Sequence, residues 1–242
     1  MSLGLGFVGA FNRGSCLVYS GSQPATADSA VTGTLLGTIT VASGPLTVET
    51  QASQTITLSG ASGSINSVLI GTTGAVNIIP DVASVPFDTD LATTAANLAT
   101  AINRNGIYTA TASAAVVTVR PRPGVGAAHN SVVLATTVTT MSATSGGNMV
   151  GGVSSINGLT FTAAAGVVSK SGTWSFAGVA AGTAGWFRMV GSVTDGGGSS
   201  TTLIRFDGSI ATSGADMNLS NIAIAVAAPN TVDGFTFTIP AV

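Results

Sequence analysis

Short runs of Val, Ile, Leu and Thr alternate with clusters of Gly, Ser, Asn and Pro along most of the chain, the spacing of an all-β protein. Residues 34–42 (TLLGTITVA) and 54–58 (QTITL) alternate or nearly so, which predicts half-buried strands. Further runs at 75–79 (AVNII), 108–112, 115–120 (AVVTVR), 132–139, 185–190 (GWFRMV), 201–206 (TTLIRF) and 234–239 (GFTFTI) bring the total to nine or more, enough for a sandwich or two small β domains. One stretch breaks this pattern. In residues 88–106 (DTDLATTAANLATAINRNG), Leu91, Ala95, Leu98 and Ile102 recur at spacings of four, three and four, which places them on one helical stripe. Asp88, Thr89 or Asp90 can accept the free amide hydrogens at its start, and Asn105-Gly106 supplies the left-handed residue that ends it. This is the only substantial helix in the pattern. Its other side carries Thr, Asn and Arg104 but little charge, so it is expected to lie against a sheet.

Glycine and serine clusters at 42–45 (ASGP) and 146–155 read as linkers around the block that holds the helix. Residues 1–44 contain only two or three possible strands and must pair with residues from 153 onward. The expected fold is therefore mainly β. An outer β-sandwich or barrel domain is built from 1–44 and 153–242, and an inserted β-rich domain, 45–152, contains one α-helix. The run Gly196 to Gly198 after Asp195 reads as a hairpin or flexible loop.

Composition changes the picture through charge. Seven Lys and Arg stand against nine Asp and Glu, a net charge of −2, which offers no attraction for a polyphosphate backbone and disfavours nucleic acid as a partner. Charged residues make up only 7% of the chain, against about 25% in ordinary domains. A surface so close to neutral tends to associate, so the chain reads as a subunit, expected to be a homo-oligomer. Mean hydropathy is +0.55, yet no run of about 18 apolar residues is free of Gly, Ser, Thr or Asn, so no membrane partner is expected. The N-terminus lacks a basic region before an apolar stretch and a cleavage site, which predicts synthesis and retention in a cytoplasm.

Candidate chemistry is sparse. A nucleophilic triad or dyad would have to use His129, the single histidine, which sits in the turn AAHNS and reads as turn-stabilising. Cys16, the single cysteine, excludes an internal disulfide and reads as a buried small hydrophobe. With one Cys and one His, a Cys/His zinc site cannot be assembled. Asp88 and Asp90 are explained by the helix start, and as a calcium pair they lack the full loop pattern. Asp28, Asp81, Asp195, Asp207, Asp216 and Asp233 lie in turn-like contexts where Asp bonds its own backbone. Lys170 and Glu49 are the only Lys and Glu. Lys170 could in principle enter an isopeptide bond with loss of ammonia, but reads as solvated. Arg120 and Arg122 in RPRPG either grip an anionic group on a neighbour or mark a solvated strand end. Alternation puts Trp186 and Phe187 on opposite faces of a strand, so one of them is expected to be covered by the insertion or by another subunit, and core packing is the first reading for each tryptophan, Trp174 and Trp186. No catalytic, cofactor-binding or metal-binding set emerges.

The middle block, with LATTAANLATAIN, YTATA, VVTVRPRPGVGAAHNSVVLATT and SGGNMVGG in that order, resembles a module that recurs in tailed-bacteriophage structural proteins, across roughly residues 54–152. His129 stands where the turn of that module usually has glycine. The flanking parts, LVYSGSQPATADSAVTGTLLGTITV before it and INGLTFTAAAGVVSKSGTWSF, GTAGWFRM, FDGSIATSGADMNLS and VDGFTFTIP after it, resemble a second phage-associated module of small β virion components. The resemblance implies a non-enzymatic virion protein, assembled in the bacterial host cytoplasm, whose partner is a major capsid protein or a neck or tail protein. A capsid decoration protein is the favoured position and a neck, collar or tail accessory protein the competitor. From another class, a carbohydrate-binding β-sandwich remains an alternative.

Overall fold

The computed structural model describes residues 5–71 and 75–238. The protein is mainly β, and the chain divides into two compact units, Met1–Glu49 with Ser155–Val242 and Thr50–Ser154.

In the first unit the large sheet runs in the order Met217–Asn218, Arg205–Ala211, Gly182–Val190, Ser15–Ser20, Leu35–Val41, Trp174–Ala177, Pro229–Val232, and Ala223–Ile224 pairs onto the start of Gly182–Val190. A three-stranded sheet of Thr160–Ala164, Val167–Ser171 and Thr236–Thr238 faces the same core. Ser15–Ser20 is central, antiparallel to Gly182–Val190 on one side and Leu35–Val41 on the other, with Cys16 opposite Met189 and Val18 opposite Phe187. Strand alternation sends Cys16, Val18, Phe187 and Met189 inward, where they meet Leu36, Ile39, Trp174 and Phe176. Gly37 allows this packing: a Cβ there would stand 2.1 Å from the Phe176 ring. A second helix, Leu5–Phe11, adds to the pattern read from sequence. Its glycines hide it, but Phe7 packs on Phe11 and Phe237 at ring separations of 4.6 and 5.2 Å, and burial outweighs the low propensity.

In the second unit, one sheet has the order Ser142–Ser145, Gln54–Ser59, Val116–Pro121, Tyr108–Ser113. The other has Gly147–Asn148, Val133–Thr139, Ser64–Ile70, Val76–Asn77, and Val85–Pro86 also pairs with Ser64–Ile70. The helix Leu91–Asn103 packs on Tyr108–Ser113 and Val116–Pro121. Ala95, Leu98 and Ile102 are fully buried and Leu91 is half-buried, joined by Thr94, Ala99 and Ala101. Asp90 is the N-cap, accepting from the Thr93 amide at 2.7 Å, and Gly106 follows the helix at φ +83°.

Several boundaries differ from the sequence reading. Ser64–Ile70 escapes it because a bulge between Ile65 and Ser67 breaks the alternation, so that Ile65, Val68 and Ile70 are the buried set. The stretch 201–206 is mostly turn, with the Ser200 hydroxyl accepting from the Thr202 and Leu203 amides, and the strand begins at Arg205. The run 75–79 shortens to Val76–Asn77 because the Asn77 side chain takes the Val68 and Ile79 amides. Thr236–Thr238 replaces 234–239, of which Ile239 lies outside the described residues. The glycine clusters are not loose linkers. Ala42 and Ser43 form a tight turn at positive φ, and 146–155 is laddered through Gly147–Asn148 and through Val150 and Val153, which bridge Ser53 and Thr50. Thr47 bridges Ile156 in the first unit, so residues 45–49 belong to that unit while Val153 and Ser154 belong to the second.

Leu98→Ala removes a fully buried anchor of the helix and should cost roughly 2–5 kcal/mol in urea unfolding followed by circular dichroism. A loss below about 1 kcal/mol would show that the helix does not depend on this stripe.

Candidate functional site

The face of the large sheet opposite the core carries Tyr19, Trp186, Arg188 and Asp207. Trp186 is fully buried, stacked on Tyr19 at 4.6 Å and 15°, with the Arg188 guanidinium 5.5 Å from its ring centre. Both Trp186 and Phe187 are buried within the chain, so neither needs another subunit to cover it: Phe187 lies in the core of the first unit and Trp186 stacks on Tyr19 on the opposite face of the strand.

Two ion pairs organise this face. Arg188 lies directly opposite Asp207 in the ladder and grips it with two hydrogen bonds, from Nε and Nη2 at 2.8 and 2.7 Å, while Nη1 donates to the Ser29 carbonyl at 2.9 Å. Arg205 holds Asp195 the same way at 2.6 Å for both bonds, and donates to the carbonyls of Gly198 and Ala27 at 2.8 and 3.2 Å. All four side chains are almost completely excluded from solvent. Main-chain bonds from Val31 to Gly197 and from Ser200 to Asp28 finish the attachment. The pairs thus latch residues 21–34 and 191–204 onto the sheet. Burial lifts the Asp195 carboxyl, but hydrogen bonds from Arg205 and the Gly197 amide, with the charges of both arginines, outweigh it and hold its pKa below the ordinary value.

Asp207 is thus a mid-strand ion-pair partner and not a turn residue, because its partner lies on the neighbouring strand. Asp195 does bond its own turn, through Gly197, and pairs with Arg205 as well. The loop after Asp195 is held down by Arg205. A signal for this was present in GWFRM, where one arginine interrupts an otherwise apolar strand.

The other candidate residues are not brought together. Cys16 is fully buried in the first unit, and burial pushes its thiol pKa far up. Glu49 is buried there too and accepts from the Ser192 hydroxyl at 2.6 Å. Lys170 is half-buried, with Nζ 3.3 Å from the Gly172 carbonyl. Asp216 accepts from the Ser209 amide and hydroxyl, which holds its pKa low. Asp28 and Asp233 are exposed. In the second unit Asp81 is exposed, Arg120 is half-buried at the end of a strand and Arg122 is exposed just beyond it. Asp88 accepts from the Thr89 amide and hydroxyl and from Asn97, which lowers its pKa. His129 ends the short 3-10 turn Gly126–His129, with Nε2 at 2.9 Å from the Tyr108 hydroxyl and Nδ1 buried without a hydrogen-bond partner. Burial lowers its pKa. Among the described residues no cluster of three or more His, Cys, Asp or Glu could hold a metal ion, and no helix is long and apolar enough to cross a membrane.

What the first unit offers to solvent is a neutral apolar end. Residues 177–187 and 217–232 contain no Asp, Glu, Lys, Arg or His. They are tied together by the Gly178 to Val226 bridge, by the Ala227 amide donating to Gly178 at 2.8 Å, and by the pairing of Gly182 with Ile224. Val179 and Val226 are 61% and 64% exposed here, with Ala177, Ala181, Ala223, Ala225, Ala227 and Pro229 exposed around them. Nothing in this group is chemically reactive, and what it can do is bury apolar surface.

No protein-family model matches the sequence, and no curated protein matches it significantly.

Asp207→Asn leaves the buried Arg188 guanidinium without a counter-charge, and stability at pH 7 should fall by roughly 3–5 kcal/mol in urea unfolding. An unchanged midpoint would mean that the latch is not loaded. For His129 the depressed folded-state pKa means that only the unfolded chain gains a proton just below pH ~6.5. Stability should therefore decline from pH 7 towards 5, and His129→Gln should flatten that slope. A slope that His129→Gln leaves intact would place its origin elsewhere.

Proposed function

We propose that this chain is a non-enzymatic structural subunit of a tailed bacteriophage particle, a capsid decoration protein held to the shell, and to further copies of itself, by neutral apolar surface. The observation that carries this reading is the uncharged end of the first unit around Val179 and Val226. Water gains little from so neutral a surface, while covering it by a neighbour gains roughly 25 cal/mol per Å² of apolar area removed from solvent. Sequestering Arg188, Asp207, Arg205 and Asp195 beneath the loops leaves still fewer charges to oppose association. Repetition over many equivalent positions on a particle turns modest single contacts into firm attachment. The sequence resemblance to phage virion modules supplies the particle in this reading.

A neck, collar or tail position makes the same use of the surface under a different symmetry. The carbohydrate-binding alternative loses support, because such sites use exposed aromatic platforms. Trp174, Trp186, Tyr19 and Tyr108 are all buried.

In purified particles, mass spectrometry should find the chain in many copies, and Val226→Lys should weaken its binding to shells lacking it by at least tenfold, about 1.4 kcal/mol. Absence from the particles, or Val226→Lys binding as tightly as the parent, overturns the reading.

A further inference from the structure

A cleft of about 410 Å³ in the first unit lies between residues 219–225 and residues 228–233. In an antiparallel ladder, residues that exchange hydrogen bonds with the partner strand alternate with residues whose N–H and C=O face away from it. On one wall the Ala184 amide donates to the Ile222 carbonyl at 2.8 Å and Gly182 lies opposite Ile224, so Asn221 and Ala223 turn their backbone groups away from the Gly182–Val190 strand, whereas the Ala225 carbonyl lies against Gly178. On the other wall the Gly178 amide donates to the Ala228 carbonyl at 3.1 Å, with Phe176 opposite Asn230 and Trp174 opposite Val232. There Pro229, Thr231 and Asp233 turn away from the Trp174–Ala177 strand. All five of these outward-turned residues line the cleft. Among the described residues it is bordered by two strand edges, each paired only on its far side.

The polar groups there are unequal. The Ala223 amide is taken by Asn221 Oδ1 at 2.9 Å, the Ala225 carbonyl accepts from the Ala228 amide at 3.2 Å, and Pro229 has no amide hydrogen. The amides of Asn221, Thr231 and Asp233 stand against the carbonyls of Asn221, Ala223, Pro229, Thr231 and Asp233, so acceptors outnumber donors. Asp233 is exposed and is the only charged residue of the lining. Both ion pairs among the described residues involve other carboxylates. Small side chains at Ala223, Ala225 and Ala228 leave space for a main chain.

We propose that this cleft accepts an extended segment of a partner protein carrying a lysine or arginine, added as a strand along Pro229–Val232. One residue of the segment exchanges both main-chain bonds with Thr231, and its cationic side chain pairs with Asp233. The inference goes beyond the particle reading and does not rest on it.

The test uses the full chain labelled with nitrogen-15 and the end-blocked heptapeptide Ala-Thr-Ala-Lys-Ala-Thr-Ala. Amide shifts should concentrate in residues 219–233, with Thr231 among the largest. Replacing the peptide lysine by glutamate should weaken binding at least fivefold, and Asp233→Lys should reverse that preference. Methylating the peptide's main-chain nitrogens should abolish binding. No shifts at millimolar peptide, shifts centred elsewhere, equal binding of the lysine and glutamate peptides, or unimpaired binding of the methylated peptide would each overturn the proposal.

Discussion

The first unit depends on the antiparallel register of Ser15–Ser20 against Gly182–Val190. Setting Val18 against Phe187 and Cys16 against Met189 fills the core, and the same register sets Tyr19 against Trp186 on the other side. Arg188 follows from it, because the next strand places Asp207 directly opposite. A slip of one residue would turn Arg188 and Trp186 into the core and Phe187 out of it. The buried arginine therefore works as a register pin: only one alignment gives it a carboxylate on the sheet and the Ser29 carbonyl above.

Charge is scarce in this chain, and four of its charges in the first unit fix geometry. The two bidentate pairs bind long irregular segments to a sheet, a task that apolar contacts, which lack direction, do less well. Glu49 is likewise buried, tied to Ser192 by its side chain and by its own amide. The end of the first unit around Val179 and Val226 is left to Ala, Val, Gly, Thr, Asn and Pro, and it is neutral as a result. On the proposed reading this is one economy seen from two sides, with charge used for internal registration and neutrality for contact.

The sequence made some of this legible. The helix stripe of Leu91, Ala95, Leu98 and Ile102, its Asp90 cap and its Gly106 exit obey local rules that act within a few residues. The β class was legible for the same reason, since alternation is local. What escaped was set at a distance or by an irregularity. The bulge in Ser64–Ile70 destroys the period that would have revealed that strand. Asp207 reads as a turn residue beside Gly208 until its neighbour on the next strand is known. The coverage of Trp186 by Tyr19 depends on a pairing that no local pattern encodes. The neutral surface was visible as composition, but its place, the end formed by 177–187 and 217–232, required the topology.

Ser29 and Arg188, joined by a hydrogen bond, are 159 residues apart in the chain. During synthesis at about 5–20 residues per second, the central strand Ser15–Ser20 waits on the order of ten seconds for the Gly182–Val190 strand. Until then it has only Leu35–Val41 beside it, and Cys16 and Val18 lack the Met189 and Phe187 that later cover them. A nascent chain held in this half-paired condition shows a sticky hairpin, with Asp28 its single charge, to everything around the ribosome. Maturation of the first unit is accordingly a late event of translation, and ribosome pausing before residue 190 would extend the interval in which the chain is most exposed to capture by chaperones or by other nascent copies.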